Sequence, residues 1–293
     1  MTTVALLAAS ALVASCTGGP SPPAPIGAGT PSPDATGPGG ARPVPRAEHV
    51  VVVVLENRAA TQVIGDPQAP WLNGLAARGA LFTDAHAVTH PSQPNYLALF
   101  SGDTHGVIDD HCPVSLSGPT LAGQLRTAGG SFVGYSEGLP EPGYTGCSAG
   151  RYARKHAPWV DFPDLGSAVD QPLTALPRDF AALPTVAFVI PDLCHDMHDC
   201  SVATGDAWLR DHLDGYLTWA ASHRSVLVVT FDEDDRDHGN HIATIVAGAR
   251  VVPGRYGDPV DHYRLLRTVE ALCGLGGIGE ATRRTPVTDI WIG

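Results

Sequence analysis

HVVVVVLEN, residues 49–57, is an unbroken apolar run, mostly β-branched, that stops on a carboxylate and an amide. Such a run fits a strand covered on both faces, as in parallel sheets. Open α/β sheets bind ligands beyond the carboxyl ends of strands of this kind. A carboxylate there must find a cation or a dense set of donors, so Glu56 and Asn57 read as metal-binding groups. The plain alternative is a turn with Glu56 in solvent.

The same arrangement recurs twice. Thr185 to Ile190 runs into PDLCHDMHDC, residues 191–200, and SVLVVTF, residues 225–231, runs into DEDDRDHGNH, residues 232–241. Phe132 to Tyr135 and Ile242 to Val246 read as further strands. Helical spacing marks Trp71 to Arg78 with Gly79 as its cap, Tyr96 to Phe100, and Thr120 to Ala128. It also marks a face of Leu209, Leu213, Tyr216, Leu217 and Ala220, and a last helix with Leu265, Leu266, Val269 and Leu272. Alternating strands and helices define the α/β class, with one catalytic domain over residues 47–293 as the economical organisation. Residues 137–183, rich in Pro and Gly and without a sustained period, read as a surface excursion over the site.

The formal net charge is -12, and the 18 basic side chains include a single lysine, Lys155. No polybasic surface exists to neutralise a nucleic-acid backbone, which excludes that class of partner. An acidic cleft can accept a phosphate ester if bound cations invert the local field.

Residues 1–16 read as an export signal whose box, Val13-Ala14-Ser15-Cys16, precedes a cysteine in the manner of bacterial lipoproteins. Cys16 is then the lipid-bearing residue, and the domain faces outward on the cell membrane. An ordinary secretory signal would instead release the protein. Residues 17–46, almost entirely Gly, Pro, Ser, Ala and Thr, form a flexible tether. Export makes disulfides the expectation for the remaining cysteines: Cys194 with Cys200, Cys112 with Cys147, and Cys273 as a buried free thiol. A structural zinc site is the alternative, although no close C-x2-C pair is present.

HPSQPNYLALFSG, residues 90–102, holds Ser92 between Pro91 and Pro94. A rigid hydroxyl at the start of a helix suits an in-line nucleophile, and the N-H groups of that helix end suit a phosphate. The plain reading of Ser92 is a helix N-cap. The loop at 191–200 packs Asp192, His195, Asp196, His198 and Asp199 together, a density suited to metal ligation, phosphate contact or proton transfer. Its plain reading is a disulfide-closed surface loop. Beyond the next strand, Asp232 and Glu233 are the inward groups, and His241 can return an imidazole to the cleft. Arg151, Arg154, Lys155 and His156 form the basic cluster, either a phosphate guide or a solvated edge.

Taken in order, VVVVLEN, HPSQPNYLALFSG, YARKHAPW, PDLCHDMHDC and TFDEDD with NH behind it resemble a family of phosphoesterases. It comprises bacterial and fungal acid phosphatases and bacterial phospholipases C, and the likeness, of acid-phosphatase type, spans about residues 49 to 247. The resemblance implies an alkaline phosphatase-like three-layer sandwich, a mixed and mostly parallel sheet flanked by helices. It further implies a divalent metal ion held by Glu56, Asn57, Asp232 and Glu233, and a phosphoserine formed on Ser92. His195, His198 and His241 would serve catalysis, and His90, Asn95, Lys155, His156 and Asp199 would contact a small phosphate-ester substrate. Relatives in the wider superfamily more often end these strands in Asp and Asp-His. Glu-Asn and Asp-Glu here favour one ion over two, and Ala157 stands where Asn is commoner. The expected activity is phosphomonoester hydrolysis, with no protein partner implied. Phospholipase C or other phosphodiester chemistry ranks second, and a non-catalytic phosphate- or metal-binding lipoprotein third.

Overall fold

The computed structural model describes residues 42–292 together with Met1. The leader, Cys16 and the tether as far as residue 41 lie outside the described residues. Within the stretch assigned to the tether, Arg42 donates to the Trp291 carbonyl at 2.8 Å, and Val44 packs against the core.

In chain order the elements are β1 (His49–Leu55), α1 (Pro70–Arg78), β2 (Ala80–Phe82), α2 (Ser92–Ser101), α3 (Leu121–Thr127) and β3 (Phe132–Ser136). A small hairpin of β4 (Ser148–Ala149) and β5 (Tyr152–Ala153) precedes β6 (Asp170–Pro172) and β7 (Val186–Ile190). Then come α4 (Val202–Ala220), β8 (Ser225–Phe231), β9 (Thr244–Gly248), β10 (Gly254–Tyr256) and α5 (His262–Cys273). Eight strands make one sheet in the order β10-β2-β9-β8-β1-β7-β3-β6. Within this sheet, among the described residues, only the pairings of β9 with β2 and with β8 are antiparallel. The pentavaline strand β1 lies between β8 and β7, parallel to both. All five valines are buried, as a strand covered on both faces requires. Helices α1 and α4 pack together, as do α2 and α5, and form the outer layers of an α/β sandwich.

Local chemistry sets the helix ends. Thr120, Ser201 and Asp261 cap α3, α4 and α5, each side chain accepting a backbone N-H of the first turn. Gly79 ends α1 in extended backbone, not in the left-handed cap expected from its position. Space is what demands glycine there, since a Cβ would stand 2.7 Å from the Val246 carbonyl.

The region 137–183 corrects the surface-excursion expectation. It buries Arg154, His156, Trp159, Asp161 and Phe162 and returns to the sheet edge as β6. The strands β2, β6 and β10, three residues each, escaped the sequence reading because a period cannot show over so short a run. Both expected disulfides form, Cys112–Cys147 and Cys194–Cys200, with Cα–Cα distances of 5.8 and 4.7 Å. Cys273 is free and only partly buried.

Gly134 in β3 leaves room for the Trp159 indole, which would overlap any Cβ at that position. Trp159 in turn donates to Asp170 Oδ1 at 2.7 Å, tying the 154–162 segment to the sheet edge. Gly134→Ala is expected to lower unfolding stability by about 1–3 kcal/mol through overpacking. Chemical denaturation measures this, and an unchanged midpoint would contradict the contact.

Candidate active site

The parallel register pairs Leu55 with Phe231, so Glu56 and Asp232 leave the sheet side by side. Asn57 takes left-handed backbone, φ 52, which Asn tolerates better than most residues. That turn directs its N-H onto Asp232 Oδ1 at 3.1 Å. From β7 the chain enters the 191–200 loop, whose Asp196 carbonyl accepts Glu56 N-H at 2.8 Å. The Cys194–Cys200 bridge closes this loop. Arg58 holds it from the other side, donating to the Met197 and Cys200 carbonyls at 2.9 and 3.2 Å.

Helix α2 approaches over these strand ends. Ser92 is its first residue and caps nothing; its Oγ donates to Glu56 Oε2 at 3.0 Å. One turn later, Tyr96 donates its hydroxyl to Glu56 Oε1 at 2.5 Å. Its ring stacks on the His156 imidazole with centroids 5.0 Å apart. His156 Nε2 lies 3.1 Å from Glu56 Oε1, and Nδ1 lies 3.6 Å from Asp196 Oδ2. Glu56, Asn57, Ser92 and Asp232 therefore meet as expected, and His156, Asp196 and Tyr96 join them.

Other expected residues stand elsewhere. Glu233 accepts His90 Nδ1 at 2.9 Å and Asn95 Nδ2 at 3.4 Å. Among the described residues its carboxylate makes no hydrogen bond to Asn57, whereas that of Asp232 does, as alternation of successive side chains along a strand favours. His90 Nε2 lies 3.2 Å from Asp234 Oδ1. The Asn95 amide is spent on its own loop, bonding the Thr89 and Pro91 carbonyls and the Val88 and Thr89 N-H groups. That makes it a brace between its own loop and Glu233. Lys155 pairs with Asp110 Oδ2 at 2.8 Å, while Asp110 Oδ1 takes Gln93 N-H at 2.9 Å. The helix N-terminus expected to dock phosphate is thus partly filled by a carboxylate.

His195 bonds Glu137 Oε2 at 2.9 Å, and His198 bonds Asp199 Oδ1 at 2.7 Å with both groups exposed. His241 reaches the Thr83 carbonyl at 3.1 Å and packs on His86. Among the described residues, none of His195, His198, Asp199 and His241 bonds Ser92, Glu56, Asn57 or Asp232. The bridges His86–His241 and Ala59–Ile242 hold the His241 backbone beside β2 instead of in the cleft.

Three carboxylates are buried together here: Glu56, Asp196 and Asp232. Burial, then the charges of Asp232 and Asp196, push Glu56 well above the usual carboxylate range. Burial raises Asp196 to about 8 and Asp232 to about 6. Burial followed by the Asp232 charge raises Glu233 to about 8. His156 is held well below its ordinary value by burial, then by the charges of Lys155 and His198. A neutral His156 makes its carboxylate contacts something other than ion pairs. Burial alone would lower Lys155, but Glu56, Asp110 and Asp232 outweigh it and the net direction is up.

Asn57 Oδ1, Asp196 Oδ2, Asp232 Oδ2 and His156 Nε2 are buried without hydrogen-bond partners. Unsatisfied buried polar atoms are rare in native folds. One imidazole nitrogen among oxygen donors fits a divalent cation, and Glu56, His156 and Asp196 present ligand atoms within 4.8 Å of one another. The residues present therefore fit a metal.

The same fold is seen in a solved structure of an alkaline phosphatase superfamily protein. That protein, from Vibrio parahaemolyticus, matches with a TM-score of 0.55 at 14% identity, over 84% of this chain and 72% of that one. The chain belongs to the Phosphoesterase family, whose model matches residues 66–276. It is 49% identical over 251 residues to a phosphatidylinositol-3-phosphatase of Mycobacterium tuberculosis, covering 85% of this chain and 84% of that protein. It is 31% identical over 250 residues to an acid phosphatase of Aspergillus fumigatus, covering 78% of this chain and 55% of the fungal protein. The chain is a phosphoric ester hydrolase with phosphatase relatives.

The raised carboxylates set a pH dependence. Asp232, Asp196 and Glu233 fold with values of about 6, 8 and 8, against roughly 4 in an unfolded chain. Their contribution is complete below about pH 4 and is lost as pH rises through 6 to 8. The Tm of metal-stripped protein is expected to fall from pH 5 to pH 8 and to recover with excess Mn(II), which binds the native state. Thermal melts in chelator and in Mn(II) check this, and a metal-stripped Tm that climbs over that interval would refute it.

Proposed function

We propose that this phosphatase hydrolyses phosphate monoesters with Ser92 as nucleophile in a centre that requires one divalent cation. The observation that carries the reading is the Ser92 Oγ contact with Glu56 Oε2 at 3.0 Å, amid buried ligand atoms that lack partners. Glu56, Asn57 and Asp232 hold the cation, with His156 and Asp196 completing the donor set in place of Glu233. When bound, the cation supplies positive charge against the phosphate and favours the ionised form of the attacking hydroxyl.

Ser92 Oγ bonds to phosphorus as the bond from phosphorus to the ester oxygen breaks, and the Oγ proton is released to solvent. One proton, assigned to His198, whose charge acts on His156, passes to the departing ester oxygen, which leaves as an alcohol. Water then attacks the phosphoserine, inorganic phosphate departs, and Oγ regains its proton. Lys155, held charged beside Asp110, steers the phosphate dianion into this acidic cleft. The likeness to a phosphatidylinositol-3-phosphatase across most of both chains makes the phosphoinositide 3-phosphate headgroup the first physiological substrate to test.

Ser92→Ala is expected to lower turnover of p-nitrophenyl phosphate and phosphatidylinositol 3-phosphate by about 10³-fold or more while Mn(II) affinity stays near wild type. Retained turnover would remove Ser92 from the mechanism. Hydrolysis of phosphatidylcholine without monoester turnover would instead favour the phosphodiesterase reading.

We further propose that the domain is exported and held on the outward face of the cell membrane by lipid on Cys16. The two disulfides of the domain support an oxidising compartment. Cys16→Ser is expected to shift phosphatase activity from the membrane fraction to the medium, and activity that stays with the membranes would contradict the anchor.

A further inference from the structure

Tyr96 is a polar group of this centre that the proposed chemistry does not use. It is 1% exposed on α2, four residues after Ser92 and so on the same face of the helix. The two hydroxyls divide one carboxylate between them: Ser92 takes Glu56 Oε2 at 3.0 Å, and Tyr96 takes Oε1 at 2.5 Å. Two donors one turn apart on a rigid helix stop the carboxylate from rotating about its last bond. Phenylalanine would fill the same volume, so what tyrosine adds is the hydroxyl, which needs a partner when buried. The ring contributes a second constraint. It lies against the His156 imidazole with an interplanar angle of 13°, which leaves each imidazole nitrogen facing one carboxylate, Glu56 or Asp196.

We propose that Tyr96 is the positioning residue of the cation site, holding Glu56 by Oε1 so that Oε2 is left to the cation and Ser92, and keeping His156 in plane. The proposal rests on the metal-dependent reading above. Outer groups that orient ligands typically contribute about 10- to 100-fold in metal affinity.

The test titrates Mn(II) calorimetrically into metal-stripped wild type, Tyr96→Phe and Glu56→Gln, with kcat and KM for p-nitrophenyl phosphate measured across Mn(II) concentrations. Tyr96→Phe is expected to fold, with a melt lowered by the loss of one buried hydrogen bond, and to bind Mn(II) about 10- to 100-fold more weakly. Its kcat should be reduced at limiting Mn(II) and largely rescued at saturating Mn(II), with KM little changed. A purely structural tyrosine would lower the melt likewise but leave the Mn(II) dependence alone. Glu56→Gln is expected to lose Mn(II) binding. Wild-type Mn(II) affinity in Tyr96→Phe, with binding lost in Glu56→Gln, overturns the proposal and leaves the metal reading standing. Wild-type affinity in Glu56→Gln overturns both. Should Tyr96→Phe fail to fold, Tyr96→Met, which lacks the hydroxyl and repacks readily, must show the same weakening, and unchanged affinity there overturns the proposal.

Discussion

A fully buried carboxylate at the end of the central strand is the constraint on which the rest of this molecule turns. Glu56 has no solvent exposure, and removing a charged carboxylate from water costs several kcal/mol unless donors or a cation replace the lost hydration. Its N-H is taken by the Asp196 carbonyl, its oxygens by Ser92 and Tyr96, and its flank by His156. Asp196 and Asp232, buried alongside, add like charge and raise the cost further. Such a group is tolerable only where its surroundings are held still, because a shift of a few tenths of an ångström would leave it unpaired in a low dielectric.

The approach loops are braced accordingly. The 191–200 loop is closed by a disulfide and tied to β1 through Arg58. The 154–161 segment is braced by Arg154, which bonds the Thr145 and Val114 carbonyls and Asp161. Asp161 then accepts Gln93 Nε2 at 3.1 Å, beside Ser92. Asp110 joins the start of α2 to Lys155. His262, at the start of α5, reaches the Asp232 carbonyl at 2.7 Å, so the strand end is supported from behind as well. The nucleophile candidate, its carboxylate partner and the lone lysine are therefore set by interlocking contacts from four separate stretches of chain, the kind of support that precise placement of reacting groups requires.

The match to the family model begins after β1, at residue 66, and so includes Ser92, His156, Asp196 and Asp232 but not Glu56. The longer likeness to the mycobacterial phosphatase covers 84% of that protein, whereas the chain spans 55% of the Aspergillus fumigatus enzyme. Much of the centre was legible in the residues because its signals are local. Glu56 and Asp232 directly follow buried strands, and Ser92 is flanked by prolines, so each could be placed without knowing its neighbours. Choices between adjacent candidates were not legible. Within 191–200 the histidines looked as able as Asp196, and after β8 Glu233 looked as able as Asp232. Met197 takes left-handed backbone, φ 79, and is fully buried; that local geometry carries Asp196 inward and leaves His198 and Asp199 exposed.

By itself the sequence determined the α/β class, the buried pentavaline strand and the placing of carboxylates and a serine at element ends, whereas the disulfide pairings it suggested were fixed only in the fold. The first three follow from periodicity, from side-chain chemistry and from the rigidity of proline, all of which act over a few residues. Only the tertiary structure decided that Tyr96 and His156 stand over Glu56, that Asp110 occupies the start of α2, and that His241 lies beside β2. Each of those outcomes depends on which distant segment packs opposite, through strand order and loop closure. Contacts between residues tens to more than a hundred positions apart leave no period or spacing along the chain from which they could be read.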